Sequence, residues 1–118
     1  MRLYKDGMMH QTYENNTELS KEDSAREMEI YKDEFCKEGS RPILVDLYNI
    51  KTVSKESRGI YSSKETAIYL SAAALLVGNP VSRIIGKFYL GINKTCMPVK
   101  MFTNTEEATD WMKSFLLE

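Results

Sequence analysis

Few residues of this chain could support catalysis, and they lie far apart. There is one histidine, His10, and the two cysteines are Cys36 and Cys96. No acid flanks His10 to orient its imidazole, and the cysteines match no metal-ligand spacing. Because no nucleophile–base pair or metal cluster can be assembled from them, the sequence predicts a protein that is not an enzyme and uses no cofactor or metal.

The most suggestive local motif is Asn79-Pro80-Val81-Ser82-Arg83. It predicts a helix that begins at Pro80 with Asn79 as its N-cap. The free N–H groups of a helix start bind anions, so Asn79, Ser82 and Arg83 are candidate ligands for a phosphate or carboxylate. The alternative, which we favour because no glycine-rich loop accompanies the motif, is that Asn79 and Ser82 only cap the helix and Arg83 is solvated.

Several cations and tyrosines are weaker candidates for binding. A basic patch would attract an acidic partner, although such residues are more often solvated; its members are Arg58, Lys64, Arg83, Lys87 and Lys94. Three tyrosines fall outside the main apolar faces and are candidates for a pocket wall or an oligomer contact: Tyr61, Tyr69 and Tyr89. The carboxylates Glu106 and Glu107 suit the first turn of a helix better than acid–base catalysis.

The composition is that of one globular domain spanning 1–118. Hydrophobic residues make up 42% and charged residues 28%, and the net charge is −1. This balance argues against general binding to nucleic acid. The longest nearly apolar run, 67–77, is far shorter than the roughly 20 residues of a membrane span, and the N-terminus lacks the apolar region of a signal peptide. A cytoplasmic protein with reduced thiols is expected.

Alternating apolar segments predict the elements that must position these residues. Three continuous apolar runs, 43–47, 72–77 and 98–102, predict buried core strands. Residues 1–15 predict a hairpin around Asp6-Gly7, and 49–54 a loop. Four helices are expected: from Ser20 to Gly39, from Ser54 to about Tyr69, from Pro80 to about Ile92, and after Asn104.

The predicted inward faces of the helices follow from helical spacing. In chain order they are Ala25, Met28, Tyr31 and Phe35; then Ile60, the stem of Lys64, Ala67 and Ile68; then Val81, Ile84, Ile85, Phe88 and Ile92; and finally Ala108, Trp111, Met112 and Phe115. Strands alternating with helices give an α/β fold with a mixed, mostly parallel sheet.

This order resembles the STAS domain of bacterial anti-sigma-factor antagonists, a SpoIIAA-like sandwich loosely shared with CRAL-TRIO lipid-binding proteins. The resemblance rests on 43–47, 53–58, 75–86 and 88–94, and is closest to a group of small bacterial STAS-like proteins. It implies a single-domain STAS-like α/β sandwich and a non-enzymatic regulatory role.

In anti-sigma-factor antagonists the loop after the Asp-Leu strand reads Asp-Ser-Ser-Gly, and its second serine accepts phosphate. Aligned on Asp46, that serine falls on Glu56, or on Arg58 if two residues are inserted. Neither side chain can carry an O-phosphate, so the usual switch is not expected. A displaced switch at Ser54 or Ser57 stays open.

We therefore predict a protein-interaction module that binds a protein partner or, as a homodimer, itself, and whose partner surface spans 54–63 and the helix start near Ser82. Its candidate residues are Ser54, Glu56, Ser57, Arg58, Asn79, Ser82 and Arg83. Arg58 is expected in the first turn of a helix, where the dipole disfavours a cation, so either an acidic partner group or Asp46 should pair with it. The alternative function is a carrier or sensor that binds a lipid or a small anionic ligand.

Overall fold

A five-stranded sheet forms the centre of the molecule. The structure is a computed structural model and describes residues 2–5, 7–37, 39–61, 63–91 and 97–116. The sheet strands are β1 Arg2–Lys5, β2 Met8–Gln11, β4 Arg41–Asp46, β6 Leu70–Leu76 and β7 Val99–Phe102. They lie in the order β1-β2-β4-β6-β7, with β1 antiparallel to β2 and every other pair parallel. Two short strands, β3 Thr17–Leu19 and β5 Ile50–Val53, form a separate parallel pair.

Helices cover both faces of this sheet. They are α1 Lys21–Ile30, extended by a π-helical turn Tyr31–Phe35, α2 Lys55–Tyr61, α3 Lys64–Tyr69, α4 Pro80–Gly91 and α5 Thr105–Met112, which a 3₁₀ turn Lys113–Phe115 follows. The α/β fold with a mostly parallel sheet that the sequence predicts is confirmed. In the described ranges no helix is long and apolar enough to cross a membrane.

The central strands β4 and β6 are buried on both faces, which explains the continuous apolar stretches 43–45 and 72–76 within them. Ile43 and Ala73 belong to the core beneath α1 and α2, whereas Leu44 and Ala74 belong to the core beneath α5. Successive side chains of a strand point to opposite faces, so a strand covered on both sides needs an apolar residue at every position. Both strands were predicted on this ground.

The third predicted core strand is an edge strand. β7 pairs with β6, and only Phe102 of its four residues is fully buried. Lys100 is exposed and places its Nζ 5.5 Å from the centroid of the Phe102 ring. A strand does form in 98–102, but the expectation that it lies in the buried core is wrong, because β7 is at the edge of the sheet. The charge of Lys100 suits that edge position.

Local capping explains where most elements begin. The hairpin of β1 and β2 turns at Gly7, whose φ of +84° suits glycine, and Asp6 lies outside the described residues. Ser20 caps α1 in a capping box with Asp23, and the bonds from the Ser20 backbone N–H and hydroxyl lower the pKa of the Asp23 carboxyl. Asn104 caps α5 by accepting from the N–H groups of Glu106 and Glu107.

The segment 49–69 departs from its prediction in two ways. The expected loop 49–54 contains β5, which pairs with β3. The single helix expected from Ser54 is broken into α2 and α3, because Ser63 caps a new helix: its hydroxyl accepts from the Thr66 N–H at 3.3 Å and donates to the Ile60 carbonyl at 2.7 Å.

Several predicted inward positions face solvent instead. On α1, Ala25 is exposed while Ser24 and Glu27 are buried. Further along, Lys64 is exposed, and so are the large apolar residues Ile68, Val81 and Ile84. The side chain of Phe88 and the residue Ile92 lie outside the described part of the chain.

Substitution of Met112 tests the packing of α5. Met112 has no exposed surface, so Met112→Ala should lower the free energy of unfolding by about 2–5 kcal/mol. The neighbouring Trp111 is only half-buried, with its ring 5.6 Å from that of Phe102. Urea denaturation measures the change, with exposed Lys113→Ala as the control, which should shift stability by at most about 0.5 kcal/mol. Equal effects of the two substitutions would contradict this packing.

Candidate functional site

A buried carboxylate joins three separate segments of the chain. Glu27, on α1, is only 5% exposed. It accepts hydrogen bonds from the hydroxyl of Tyr13 at 3.2 Å and from the hydroxyl of Tyr61. Tyr13 belongs to the connection after β2, and Tyr61 ends α2. A charged acceptor makes each bond stronger than a neutral pair would, so the cluster fixes the relative positions of these segments.

Two further bonds extend this polar seam between α1 and its neighbours. One turn before Glu27, the buried hydroxyls of Ser24 and Ser57 bond to each other across α1 and α2. One turn after it, the hydroxyl of Tyr31 donates to Oε1 of Gln11 on β2 at 3.4 Å. Because buried polar groups are costly without partners, these pairings specify how α1 is seated.

An apolar cavity of about 40 Å³ lies behind the tyrosines. The rings of Tyr13, Tyr31 and Tyr61 form part of its wall, and the remainder comes from the central sheet and from the β3–β5 pair. Ala73 lies between Ile43 and Val99 in the cross-strand register and offers only a methyl group on this face. The small side chain at that position leaves space that the surrounding groups do not fill.

An open groove of about 360 Å³ lies on the other side of Tyr13, between α1 and the β2–β3 connection. Tyr13 and Leu19 line both the groove and the cavity, so they form the wall between the two spaces. The groove is polar: among the described residues that line it, Glu14, Asp23 and Glu27 contribute carboxylates and Arg26 contributes a guanidinium.

Desolvation keeps the Tyr61 hydroxyl protonated. Burial of this hydroxyl is the main cause that raises the pKa of Tyr61 well above its usual value of 10.0, and its electrostatic interactions with Tyr13, Glu27 and Tyr31 act in the same direction. The hydroxyl therefore remains a donor to Glu27 throughout the physiological pH range.

The predicted site residues of α2 do not share one environment. Ser54 accepts from the Ser57 N–H at 3.0 Å and caps the helix, and Ser57 is fully buried against α1. Glu56 is exposed in the first turn. Arg58 is half-buried, and because α2 is only seven residues long it also lies in the last turn, where the dipole favours a cation. The premise that its position is unfavourable is therefore wrong.

The predicted site residues of α4 form its N-terminal cap. The Asn79 side chain accepts from the Ser82 N–H at 2.7 Å and donates to the Tyr48 carbonyl at 2.9 Å. The Ser82 hydroxyl, fully buried, accepts from the N–H groups of Gly78 and Asn79, each at 3.0 Å. Arg83 is exposed. Of the seven predicted site residues, Asn79 and Ser82 are therefore hydrogen-bonded to each other. Ser57 instead bonds to Ser24 on α1 and does not face the surface.

The remaining candidates occupy structural positions. His10 pairs with Leu3 and Leu44 within the sheet. Cys36 is buried, its thiol donates to the Tyr69 carbonyl at 3.2 Å, and desolvation raises its pKa. Cys96 and Lys94 are outside the described residues, as is the side chain of Tyr89. Among described residues no group of three potential metal ligands comes together.

Sequence reasoning left Tyr61 open between a pocket wall and an oligomer contact, and it missed Glu27, Gln11 and Tyr13. Tyr61 lines the cavity, as its position outside the apolar face of its helix indicated. Glu27 resembles the solvated charges around it, and only its spacing from Ser24 and Tyr31 along one helical face marks it. Pairing between distant segments leaves no local signal.

Introducing a charge at Ser57 tests the polar seam. Ser57→Asp should lower the free energy of unfolding by about 3–5 kcal/mol, because the carboxylate would be buried without compensation. The exposed neighbour gives the control, Glu56→Gln, with an expected change within about 0.5 kcal/mol. A Ser57→Asp protein as stable as the wild type, or stoichiometric phosphorylation of Ser57 in the folded protein, would contradict this assignment.

The Tyr61 hydroxyl gives the stability a defined pH dependence. At pH 8, Tyr61→Phe should cost about 1.5–3 kcal/mol, since it removes a donor to a carboxylate. Above pH 10 the unfolded chain ionises this tyrosine while the folded chain keeps it neutral, so the wild type loses stability and the difference shrinks. Urea denaturation at pH 8, 10 and 11 measures it, with exposed Tyr48→Phe as the control. A constant difference would refute the desolvated donor.

Comparison with known proteins agrees with this architecture. The chain resembles the crystal structure of an uncharacterized protein from the DUF3478 family with a SpoIIAA-like fold, from Shewanella loihica PV-4. Identity is 12% and the TM-score is 0.57, over 95% of this chain and 90% of that one. A protein of unknown function from Arthrobacter sp. FB24 is 28% identical over 96% of this chain and 98% of that one, with a TM-score of 0.36.

No curated protein matches. With residues 2–116 matched by the family model, the chain belongs to the family described as "Domain of unknown function (DUF7793)".

Proposed function

We propose that this SpoIIAA-like protein is a non-enzymatic interaction module that binds an acidic, partly apolar surface of a protein partner. The contact is made by the docking face, which comprises Val81, Arg83, Ile84 and Lys87 on α4. The observation that carries the proposal is the exposure of two large apolar side chains on this helix: Val81 is 46% and Ile84 is 54% exposed.

The two sides of α4 have different roles. Ser82 and Ile85 are buried and hold the helix against the sheet. Val81 and Ile84 are three residues apart, so they lie on one side of the helix, and both face solvent. Exposed aliphatic pairs of this kind supply the apolar centre of protein interfaces, and association removes them from water.

The charges on the docking face specify the chemistry of the partner. Arg83 and Lys87 are four residues apart and exposed, and like charges at this spacing destabilise an isolated helix by about 0.2–0.5 kcal/mol. The sequence of α4 contains no carboxylate to offset them. Arg83 also lies near the helix N-terminus, where the dipole favours an anion. An acidic partner group relieves both effects.

The start of α4 is held rigidly, which favours binding. Its N-terminal cap is anchored to the Tyr48 carbonyl through Asn79. The Tyr48 ring is 55% exposed and lies close to Gly78, where an added Cβ would stand 3.1 Å from the ring. A surface that is fixed before binding loses little conformational entropy on association.

Direct binding measurements test this function. Partners are captured from the native host by cross-linking, identified by mass spectrometry and purified, and their affinity for this protein is then measured by calorimetry. Ile84→Asp should weaken the complex at least about tenfold, because it introduces a charge that must be desolvated at the interface. Arg83→Gln together with Lys87→Gln should weaken it less and flatten its dependence on salt.

Ile68 provides the matched control. It is 64% exposed on α3, which precedes β6, whereas α4 follows β6, so the two isoleucines lie toward opposite ends of that strand. Ile68→Asp should leave the affinity unchanged. A complex insensitive to Ile84→Asp, or one equally sensitive to Ile68→Asp, would overturn the docking face. So would self-association of the wild type that Ile84→Asp abolishes, because the occupant would then be a second copy of this chain.

A further inference from the structure

The groove beside α1 and the cavity behind it together have the features of a ligand site distinct from the docking face. We propose that they bind a small organic cation, an alkylammonium whose charged head lies against Glu27 and whose short alkyl arm enters the apolar cavity. Three features favour such a ligand: the charge of the groove, the tyrosine rings and the size of the cavity.

The charge of the groove favours a cation. Among the described lining residues the charged groups are the carboxylates of Glu14, Asp23 and Glu27 and the guanidinium of Arg26. Arg26 lies 3.5 Å from a carboxylate oxygen of Asp23, so these two charges offset each other and the carboxylates of Glu14 and Glu27 remain. Glu27 is the buried member of the set, and the low water content around it strengthens its attraction for an ammonium group.

Aromatic rings adjoin this carboxylate. Tyr13 and Tyr61 both donate to Oε1 of Glu27, and their rings, with that of Tyr31, line the cavity. The faces of aromatic rings attract organic cations, and an ammonium group can replace a tyrosine hydroxyl as donor to a carboxylate. The Tyr13 hydroxyl, at 3.2 Å, is the donor that the ligand displaces.

The dimensions limit the length of the alkyl arm. A single water needs about 10–15 Å³, so a cavity of about 40 Å³ accommodates a group of about three heavy atoms. Tyr13 and Leu19 separate this space from the groove, which places the entry point beside Glu27. A displacement of the half-buried Tyr13 ring connects the two spaces.

Titration with three ligands of equal chain length tests the site. Amide chemical shifts of the ¹⁵N-labelled protein are followed as propylammonium, propan-1-ol or propanoate is added, at constant ionic strength. Propylammonium should bind saturably with a Kd on the order of 1 mM and shift resonances of 11–14, 19 and 27. Propan-1-ol should bind at least about tenfold more weakly, and propanoate should not saturate.

Variants separate the carboxylate from the ring. Glu27→Gln should weaken propylammonium binding at least about tenfold, whereas exposed Glu29→Gln on the same helix should not. Tyr13→Phe should retain affinity within about threefold, because the ring remains and the ligand supplies the donor. Ala73→Val should weaken binding by reducing the cavity.

Three results would overturn the proposal. They are equal binding of propylammonium and propan-1-ol, saturable binding of propanoate, and absence of saturation by any of the three ligands. These comparisons use the wild-type protein, so they decide the matter even where Glu27→Gln does not fold. None of them involves α4, so failure here leaves the docking face untouched.

Discussion

The seating of α1 depends on one buried carboxylate. Glu27 accepts from Tyr13 and Tyr61 and so joins α1 to the β2–β3 connection and to α2. A carboxylate that is 5% exposed is stable in the fold only with such donors, because removing its partners leaves a charge buried without compensation. The same bonds hold two tyrosine rings at the wall of the apolar cavity, and the carboxylate itself lines the groove. Fold stability and the proposed chemistry of the groove thus depend on the same group.

Much of the fold could be predicted because burial on both faces leaves a local signal. The stretches 43–45 in β4 and 72–76 in β6 are apolar at every position, and the caps at Ser20, Asn79 and Asn104 are encoded by single residues and their neighbours. The strands β3 and β5 were missed because each is short and exposes polar residues. The break between α2 and α3 does have a local signal in the sequence, because Ser63 is a residue type that favours the N-cap of a new helix.

The candidate site could be predicted only in part. Asn79 and Ser82 were identified as a cap, and their bonds agree with that interpretation, whereas one predicted inward position of α1, Ala25, was assigned wrongly. Helical spacing placed Ala25 inward because it is apolar, although tertiary pairing buries Ser24 and Glu27 instead. On α4, Val81 and Ile84 were assigned to the core for the same reason. Periodicity identifies an apolar side chain but not the partner that covers it, so a docking face and a core face give the same pattern.

The fold is expected to depend on Glu27 and its tyrosine donors acting as one unit. A double-mutant cycle on Glu27→Gln and Tyr61→Phe, measured by urea denaturation at pH 8, tests it most directly. We expect the two substitutions to be coupled by about 1–3 kcal/mol, since either one alone removes the charged hydrogen bond. Free-energy changes that add to within about 0.5 kcal/mol would contradict the account, because they would place the two side chains in independent environments.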